Sequence, residues 1–269
     1  MSALSLRLHS TPAERLDMSA LNPAKLAGLN AGEIARIALG DGVKPARVGD
    51  YFKVEGTPGE TLLIETSSDR LDNIGAENAS GVIIIEGNVG AYAGRKMRGG
   101  RLEIRGNAGA FLASSLEDGV IVVAGSAAEN LGAPLRGERD GITGGTVVVK
   151  GSVGTAAGAR MRRGTIIVNG SVGDGAGERM MGGTIWTESG FGAEAGIQMR
   201  RGTLIGPRVD AMRPTFVDCG LHELGILNIM SRYLKASLGD LAPRAINVPV
   251  RRYAGDMASI GRGEILLTA

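Results

Sequence analysis

The sequence predicts a mainly β protein built from one short stacked repeat, and three observations carry that prediction. Short apolar runs recur along the middle of the chain: TLLIE 61–65, VIIIE 82–86, RLEIR 101–105, VIVVA 120–124, TVVVK 146–150, TIIVN 165–169, TIWTE 184–188 and TLIGP 203–207. Their first residues are separated by 21, 19, 19, 26, 19, 19 and 19 positions, so a single period of 19 runs through them. Glycine-rich segments fill the gaps in phase: GNVGAYAGRKMRGG from 87, GNAGAFLASSLEDG from 106, GSVGTAAGARMRRG from 151, GSVGDGAGERMMGG from 170 and SGFGAEAGIQMRRG from 189. The interval of 26 is one period plus seven residues, an insertion that falls within PLRGERDGIT, 134–143.

Each column of such a repeat must behave alike when copies stack. Leu102, Ile121, Val147, Ile166, Ile185 and Leu204 share one strand position. Ile104, Val123 and Val168 follow two residues on, with Val148 or Val149 as their counterpart. A period of two points one face of each short strand inward. Two further inward columns are Val89, Ala108, Val153, Val172 and Phe191, then Met97, Leu116, Met161, Met180 and Met199. Methionine suits the irregular gap at a bend. Nineteen residues are too few for a strand–helix–strand crossover within a sheet. They suffice for one coil of a parallel β-helix, in which each strand pairs with its copy one turn along. The glycines belong at bends, where φ is positive or the next coil approaches closely. Residues 57–207 are therefore read as a right-handed parallel β-helix of about eight coils, on the order of 35–40 Å long at roughly 4.8 Å per coil.

A stacked repeat exposes an unpaired edge at each end, so atypical segments must cover it. Residues 1–56 are assigned to an N-terminal helical cap and lead-in. Within NPAKLAGLNAGEIARIALGDG, Asn22 precedes Pro23 as a cap precedes a first helical residue, Asn30 caps a second helix and Gly40 stops it. Residues 208–269 form the C-terminal cap. Leu224, Leu227, Met230, Leu234 and Leu238 recur at helical spacing over 221–240, and Gly239 ends the helix. AINVPVRRY and GEILLTA then read as short strands folding back.

Composition removes several chemistries. The net charge is +2 and aromatic residues are 3% of the chain, so neither a nucleic-acid field nor stacking platforms are indicated. No apolar run of membrane length occurs and MSALSLRLHS is too short in apolar residues for a signal peptide, which predicts a soluble, cytoplasmic protein with no membrane partner. One cysteine, Cys219, excludes a disulfide framework or a CxxC zinc site and reads as a small buried apolar residue. With only His9 and His222, a three-histidine metal site within the chain is impossible, and a Ser–His–Asp arrangement has no evident setting. TIIVNGSVGDGAG, 165–177, mimics a dinucleotide loop, but no helix follows before the strand at Thr184. Asp118, Asp140 and Asp174 do not share a column. No catalytic residue and no bound cofactor or metal are expected of this chain alone.

Two columns carry other information. Before the glycine that closes a repeat stand Arg98, Arg162 with Arg163, and Arg200 with Arg201, with Lys96, Arg160 and Arg179 slightly earlier. Stacking lines these into a basic ridge, moderated by Glu117, Asp118 and Glu178. Such a ridge is either a solvated edge or a docking surface for an acidic partner or a polyanionic cofactor tail. The outward strand position holds Glu103, Val122, Val148, Ile167, Trp186 and Ile205. An apolar band of that length calls for cover by the termini or by another subunit, and an intersubunit interface is the favoured reading.

The repeats in GSVGTAAGARMRRGTIIVNGSVGDGAGERMMGGTIW resemble the GxGxG β-helix family, over residues 61–207. That family includes the C-terminal domain of the glutamate synthase large subunit and the C subunit of formylmethanofuran dehydrogenase. RPTFVDCGLHELGILNIMSRYL, through Pro214, Thr215 and Phe216, is similar to the segment that follows the repeats in those C subunits. The free-standing chain points the same way. The extension LSLRLHSTPAERLDMSALNPAKLAGLNAGEIARIALG resembles the bacterial methylotroph form, from formyltransferase/hydrolase complexes. The resemblance implies a non-catalytic subunit of a complex that moves a formyl group from tetrahydromethanopterin to a methanofuran analogue and releases formate. It implies as partners an amidohydrolase-like hydrolase subunit, a formyltransferase subunit and a dehydrogenase B-like subunit. It also implies a ligand for the ridge of Arg98, Arg162, Arg163, Arg200 and Arg201, the polyglutamate tail of the methanofuran analogue. The C subunit of a molybdenum or tungsten formylmethanofuran dehydrogenase and a glutamate synthase-type domain remain the alternatives.

Overall fold

The period of the sequence is a hydrogen-bonding period. In the computed structural model, which describes residues 3–40 and 45–268, the apolar runs form strands β3 (Thr57–Glu65), β4 (Val82–Glu86), β5 (Arg98–Ile104), β6 (Asp118–Val123), β7 (Thr146–Val149), β8 (Thr165–Val168), β9 (Met181–Thr187) and β10 (Arg201–Gly206). Before them lie β1 (Ala3–Leu8) and β2 (Phe52–Glu55), and after them β11 (Val217–His222), β12 (Val250–Gly255) and β13 (Arg262–Thr268). The architecture is mainly β, with one mixed 13-stranded sheet in the order β11-β12-β13-β10-β9-β8-β7-β6-β5-β4-β3-β1-β2. From β3 to β10 each strand pairs in parallel with the next. Thr61, Val82, Arg101, Val120, Thr146, Thr165, Thr184 and Thr203 stand in one register. Val120 meets Thr146 directly, so the seven extra residues leave the ladder undisturbed.

A second row of parallel bridges runs through the glycine segments, from Val89 through Ala108, Ala127, Val153, Val172 and Phe191 to Val209. Ala127 belongs to a further copy, GSAAENLGA from 125, that sequence alignment passed over because the insertion replaces its Arg–Met end. The core lies between the rows. Leu62, Ile83, Leu102, Ile121, Val147, Ile166, Ile185, Leu204 and Ile265 share an inward column, and each is at most 1% exposed. Val149 pairs with Val123 and Val168 in the second inward column, which settles the register left open between Val148 and Val149. Met97, Leu116, Met161, Met180 and Met199 are fully buried, and Ile142 fills the same column within the insertion.

Glycine serves the bends in two ways. Gly87, at φ +142°, lies so close to the carbonyl of Thr66 that a Cβ there would overlap it. Gly175, at φ +71°, has room, its Cβ position lying 3.9 Å from the Ala156 backbone. Its equivalents one and more periods away are Tyr92, Phe111, Asn130, Ala156 and Glu194, all left-handed themselves. The bend therefore imposes the left-handed backbone even on ordinary residues.

The ends are closed mostly by strands. β1 pairs in parallel with β3, and β2 pairs antiparallel on the outside of β1, an N-terminal cover that the sequence reading assigned to helices. The helices exist but are short. Asn22 caps α1 (Pro23–Leu26), its Oδ1 accepting from the Lys25 amide, and Asn30 with Glu33 forms a capping box on α2 (Ala31–Ala35). α2 stops at Ala35 rather than at Gly40, because Ala38–Leu39 pairs with Ala46–Arg47. Residues 41–44 of the predicted cap lie outside the described residues, as do Met1, Ser2 and Ala269. A third helix, α3 (Val48–Tyr51), leads into β2.

At the other end, α4 (Gly225–Leu238) is shorter than the predicted 221–240, its first residues going to β11, and Gly239 ends it at φ +59°. β12 and β13 pair antiparallel, and β13 docks in parallel on β10 as the next rung. α4 lies over the outward band. Val148, Ile167, Trp186 and Ile205 are at most 2% exposed and pack with Leu227, Leu234, Val250 and Leu266. The expected cover of this band by another subunit is corrected. The chain's own helix covers it, because Leu227 and Leu234 supply the matching apolar face.

Candidate functional site

The arginine columns are built by the bend that follows each methionine. The carbonyls of Asn78, Met97, Leu116, Ile142, Met161 and Met180 accept in turn from the amides of Arg98, Glu117, Thr143, Arg162, Met181 and Arg200, at 2.7–2.9 Å. These six residues therefore form one column, with Arg162 and Arg200 flanking Met181. Arg163 and Arg201 stand one residue further along, and Arg201 is in register with Arg262 of β13. Arg160 and Arg179 occupy a neighbouring left-handed column that ends at Gln198.

Two adjoining hollows lie on this face and share Met181 and Arg200. One, of about 500 Å³, is lined by Arg139, Asp140, Arg160, Arg179 and Gln198, with Ala258 and Ser259 at its end. The other, of about 630 Å³, is lined by Thr143, Arg162, Arg163 and Arg201, with Ile260. Acidic partners are few. Asp140 lies 3.3 Å from Arg162 and 4.0 Å from Arg139, and Glu178 lies 3.7 Å from Arg179. Among the described residues Arg160, Arg163, Arg200 and Arg201 make no ion pair with an acidic side chain. A concave surface with that excess of guanidinium groups attracts anions, and each planar fork can grip a carboxylate or phosphate with two hydrogen bonds.

Of the five arginines singled out in the sequence, four meet here and one does not. Arg98 belongs to the same column but is separated from Arg162 by Glu117 and Thr143, and it lies 3.7 Å from Glu117. The ridge is thus interrupted where the insertion enters. Sequence reasoning also missed the end wall, residues 258–260, which comes from the tail. Asp256 holds that wall: its fully buried carboxylate accepts from the amides of Gln198 and Ala258 at 2.9 Å and lies 3.8 Å from Arg213. Burial opposes ionisation of Asp256. The Thr215 hydroxyl, the two amides and the Arg213 charge outweigh it and hold the carboxyl below its ordinary range.

Elsewhere the candidate groups do not converge. The His222 ring nitrogen lies 3.0 Å from the carbonyl oxygen of Cys219 rather than from its thiol. Cys219 is exposed, which corrects its reading as a buried residue, because it lies on the largely exposed outermost strand β11. Among the described residues no group of three or more His, Cys, Asp and Glu is placed to hold a metal ion. No described helix is long and apolar enough to cross a membrane.

No protein-family model matches the chain. The fold does match a chain in the X-ray structure of the formyltransferase/hydrolase complex (FhcABCD) of Methylorubrum extorquens in complex with methylofuran. The TM-score is 0.92, with 35% identity, covering 98% of this chain and 99% of that one. The chain belongs to the family of formyltransferase/hydrolase complex C subunits. The curated Fhc C subunit of the same organism is 36% identical over 86 residues, 32% of either chain. The C subunit of a tungsten-containing formylmethanofuran dehydrogenase 2 from Methanothermobacter wolfeii is 32% identical over 99 residues, 35% of this chain and 37% of the relative. The matched stretches thus span about a third of the length of these curated relatives, and the structural match supplies the rest.

Proposed function

We propose that this chain is a non-catalytic scaffold subunit of a formyltransferase/hydrolase-type complex. In the proposed reaction, formyl passes from tetrahydromethanopterin to a methanofuran analogue and is released as formate by the other subunits. Those partners are a hydrolase subunit of amidohydrolase type, a formyltransferase subunit and a dehydrogenase B-like subunit. The observation that carries this reading is the near-complete match, in length and in fold, to a chain of the FhcABCD complex. Residues 57–207 wind, on this reading, as a right-handed parallel β-helix between an N-terminal cap over 1–56 and a C-terminal cap over 208–269. Two parallel ladders advancing at the same period of 19 support that winding. Four arginines of the ridge, Arg162, Arg163, Arg200 and Arg201, together with Arg160 and Arg179, receive a polyanion, for which the tail of the methanofuran analogue is the candidate. Arg98 contributes at most at its margin.

Purification through a tag on this chain from its native host, with mass spectrometry of the companions, tests the subunit reading. Hydrolase and transferase chains are expected, and formyl transfer should reside in the complex and not in the isolated chain. Robust transfer by the isolated chain would overturn the scaffold role. Replacing Arg162, Arg163, Arg200 and Arg201 with Gln should weaken binding of a polyglutamate probe and flatten its salt dependence. Unchanged binding would make the ridge a solvated edge. The similarity to tungsten-containing dehydrogenase subunits favours a second reading, the C subunit of a formylmethanofuran dehydrogenase. Tungsten or molybdenum in the purified complex would select it.

A further inference from the structure

The outer side of α4 has features that the arginine face does not use. Leu227, Ser231 and Leu234 point into the molecule and are buried, whereas Ile226, Ile229 and Tyr233, at spacings of three and four, are 61%, 64% and 69% exposed. A surface helix ordinarily turns polar residues outward. Isolated exposed apolar side chains are common, but a stripe on one helix facing away from its own core marks a contact surface.

Beside the stripe, on the next flank of α4, a groove of about 590 Å³ separates the helix from residues 242–247. Asn228, Ser231, Arg232, Lys235 and Arg244 line it. Ser231 is 6% exposed and its Oγ has no hydrogen-bond partner among the described residues, so this buried hydroxyl lacks a group to bond. Arg232 makes no ion pair among the described residues. Among the described residues Lys235 reaches only the fully exposed Asp240, and Arg244 lies 3.9 Å from Glu188. Solvated pairs of that kind give way readily to better-placed acids.

We propose that this side of α4 docks an acidic, amphipathic segment of another subunit, an inference that rests on the subunit reading above. Its apolar side covers Ile226, Ile229 and Tyr233. Its carboxylates meet Arg232, Lys235 and Arg244, and a polar group of the segment satisfies the Ser231 hydroxyl. Charge selects the occupant. A second copy of this chain would bring the same cations to face these, and like charges in contact are strongly disfavoured.

The test is tagged purification of the intact complex carrying either I229E with Y233E, or R232E alone. All three positions are exposed, and thermal unfolding of the isolated chain should match wild type. Recovery of at least one companion subunit should fall about tenfold or more for the double variant, as for central contact residues. For R232E a loss of about threefold to tenfold should appear at low salt and shrink at high salt. Wild-type recovery of every companion with both variants overturns the proposal while leaving the subunit reading intact. Failure of the wild-type chain to recover any companion overturns the subunit reading and the proposal with it. Loss of self-association alone, measured by analytical ultracentrifugation, assigns the face to a second copy and also overturns it.

Discussion

Replacing Glu138 with Gln removes the charge that ties the seven-residue insertion to the repeats. The Glu138 carboxylate lies 2.5 Å from Arg95 and 2.8 Å from Lys96, and it accepts from the Ser115 hydroxyl at 3.1 Å and the Leu135 amide at 3.0 Å. Burial alone would raise its pKa. The Lys96 contact, the Leu135 amide, the Arg95 charge and the Ser115 hydroxyl overcome this and lower it from 4.5 to about 2. At about 1.36 kcal/mol per pH unit, that difference bounds the stabilisation near neutral pH at about 3 kcal/mol. Glutamine keeps an oxygen for Ser115 and Leu135, so E138Q should cost about 1–2 kcal/mol. The folded pKa is depressed, so the stabilisation is complete above the unfolded value of about 4.5 and fades as pH falls toward 2. Urea unfolding followed through Trp186, the one tryptophan of the chain, gives the stability of both proteins across that range. The gap between wild type and E138Q should be widest at pH 7 and nearly closed at pH 2. A gap that does not change with pH, or no gap at pH 7, would refute the electrostatic account of the anchor.

Four other substitutions probe three separate parts of the molecule. W186A empties a buried site beneath α4 and should lower stability by about 3–5 kcal/mol in calorimetry, with early loss of the α4 helical signal. A normal Tm would show that the band does not need its cover. G87A should prevent folding to soluble protein or lower Tm sharply, whereas G175N should shift Tm by only a few degrees, because Gly175 has space and needs only a tolerated left-handed backbone. Equal effects would contradict that distinction. D256N should loosen residues 257–261, seen as faster proteolysis there; the wild-type protection should weaken as pH falls and that of the variant should not, since the folded carboxyl titrates below its ordinary range. Unchanged proteolysis would mean that Asp256 does not hold the wall.

Much of the fold was legible because stacking forces the same demand on every copy. Leu102, Ile121, Val147, Ile166, Ile185 and Leu204 had to be apolar together, and their register in the sheet is the one their spacing implies. β1 and β13 were harder to place, since neither carries a glycine-rich partner segment and their pairing is set by neighbours far along the chain. The candidate site was legible only in part. Arg162, Arg163, Arg200 and Arg201 announced themselves by repetition, but repetition also enrolled Arg98, which Glu117 and Thr143 separate from the others.

The amino-acid pattern by itself determined the period, the inward columns and the arginine columns, because a residue that recurs in phase occupies the same place in every layer. Tertiary structure alone decided what lies against those layers. It placed α4 rather than another chain over Val148, Ile167, Trp186 and Ile205, and it brought residues 258–260 to the end of the arginine hollows. Those contacts join segments with no shared period, held by side-chain fit and by the buried Asp256 carboxylate, and no local spacing encodes them.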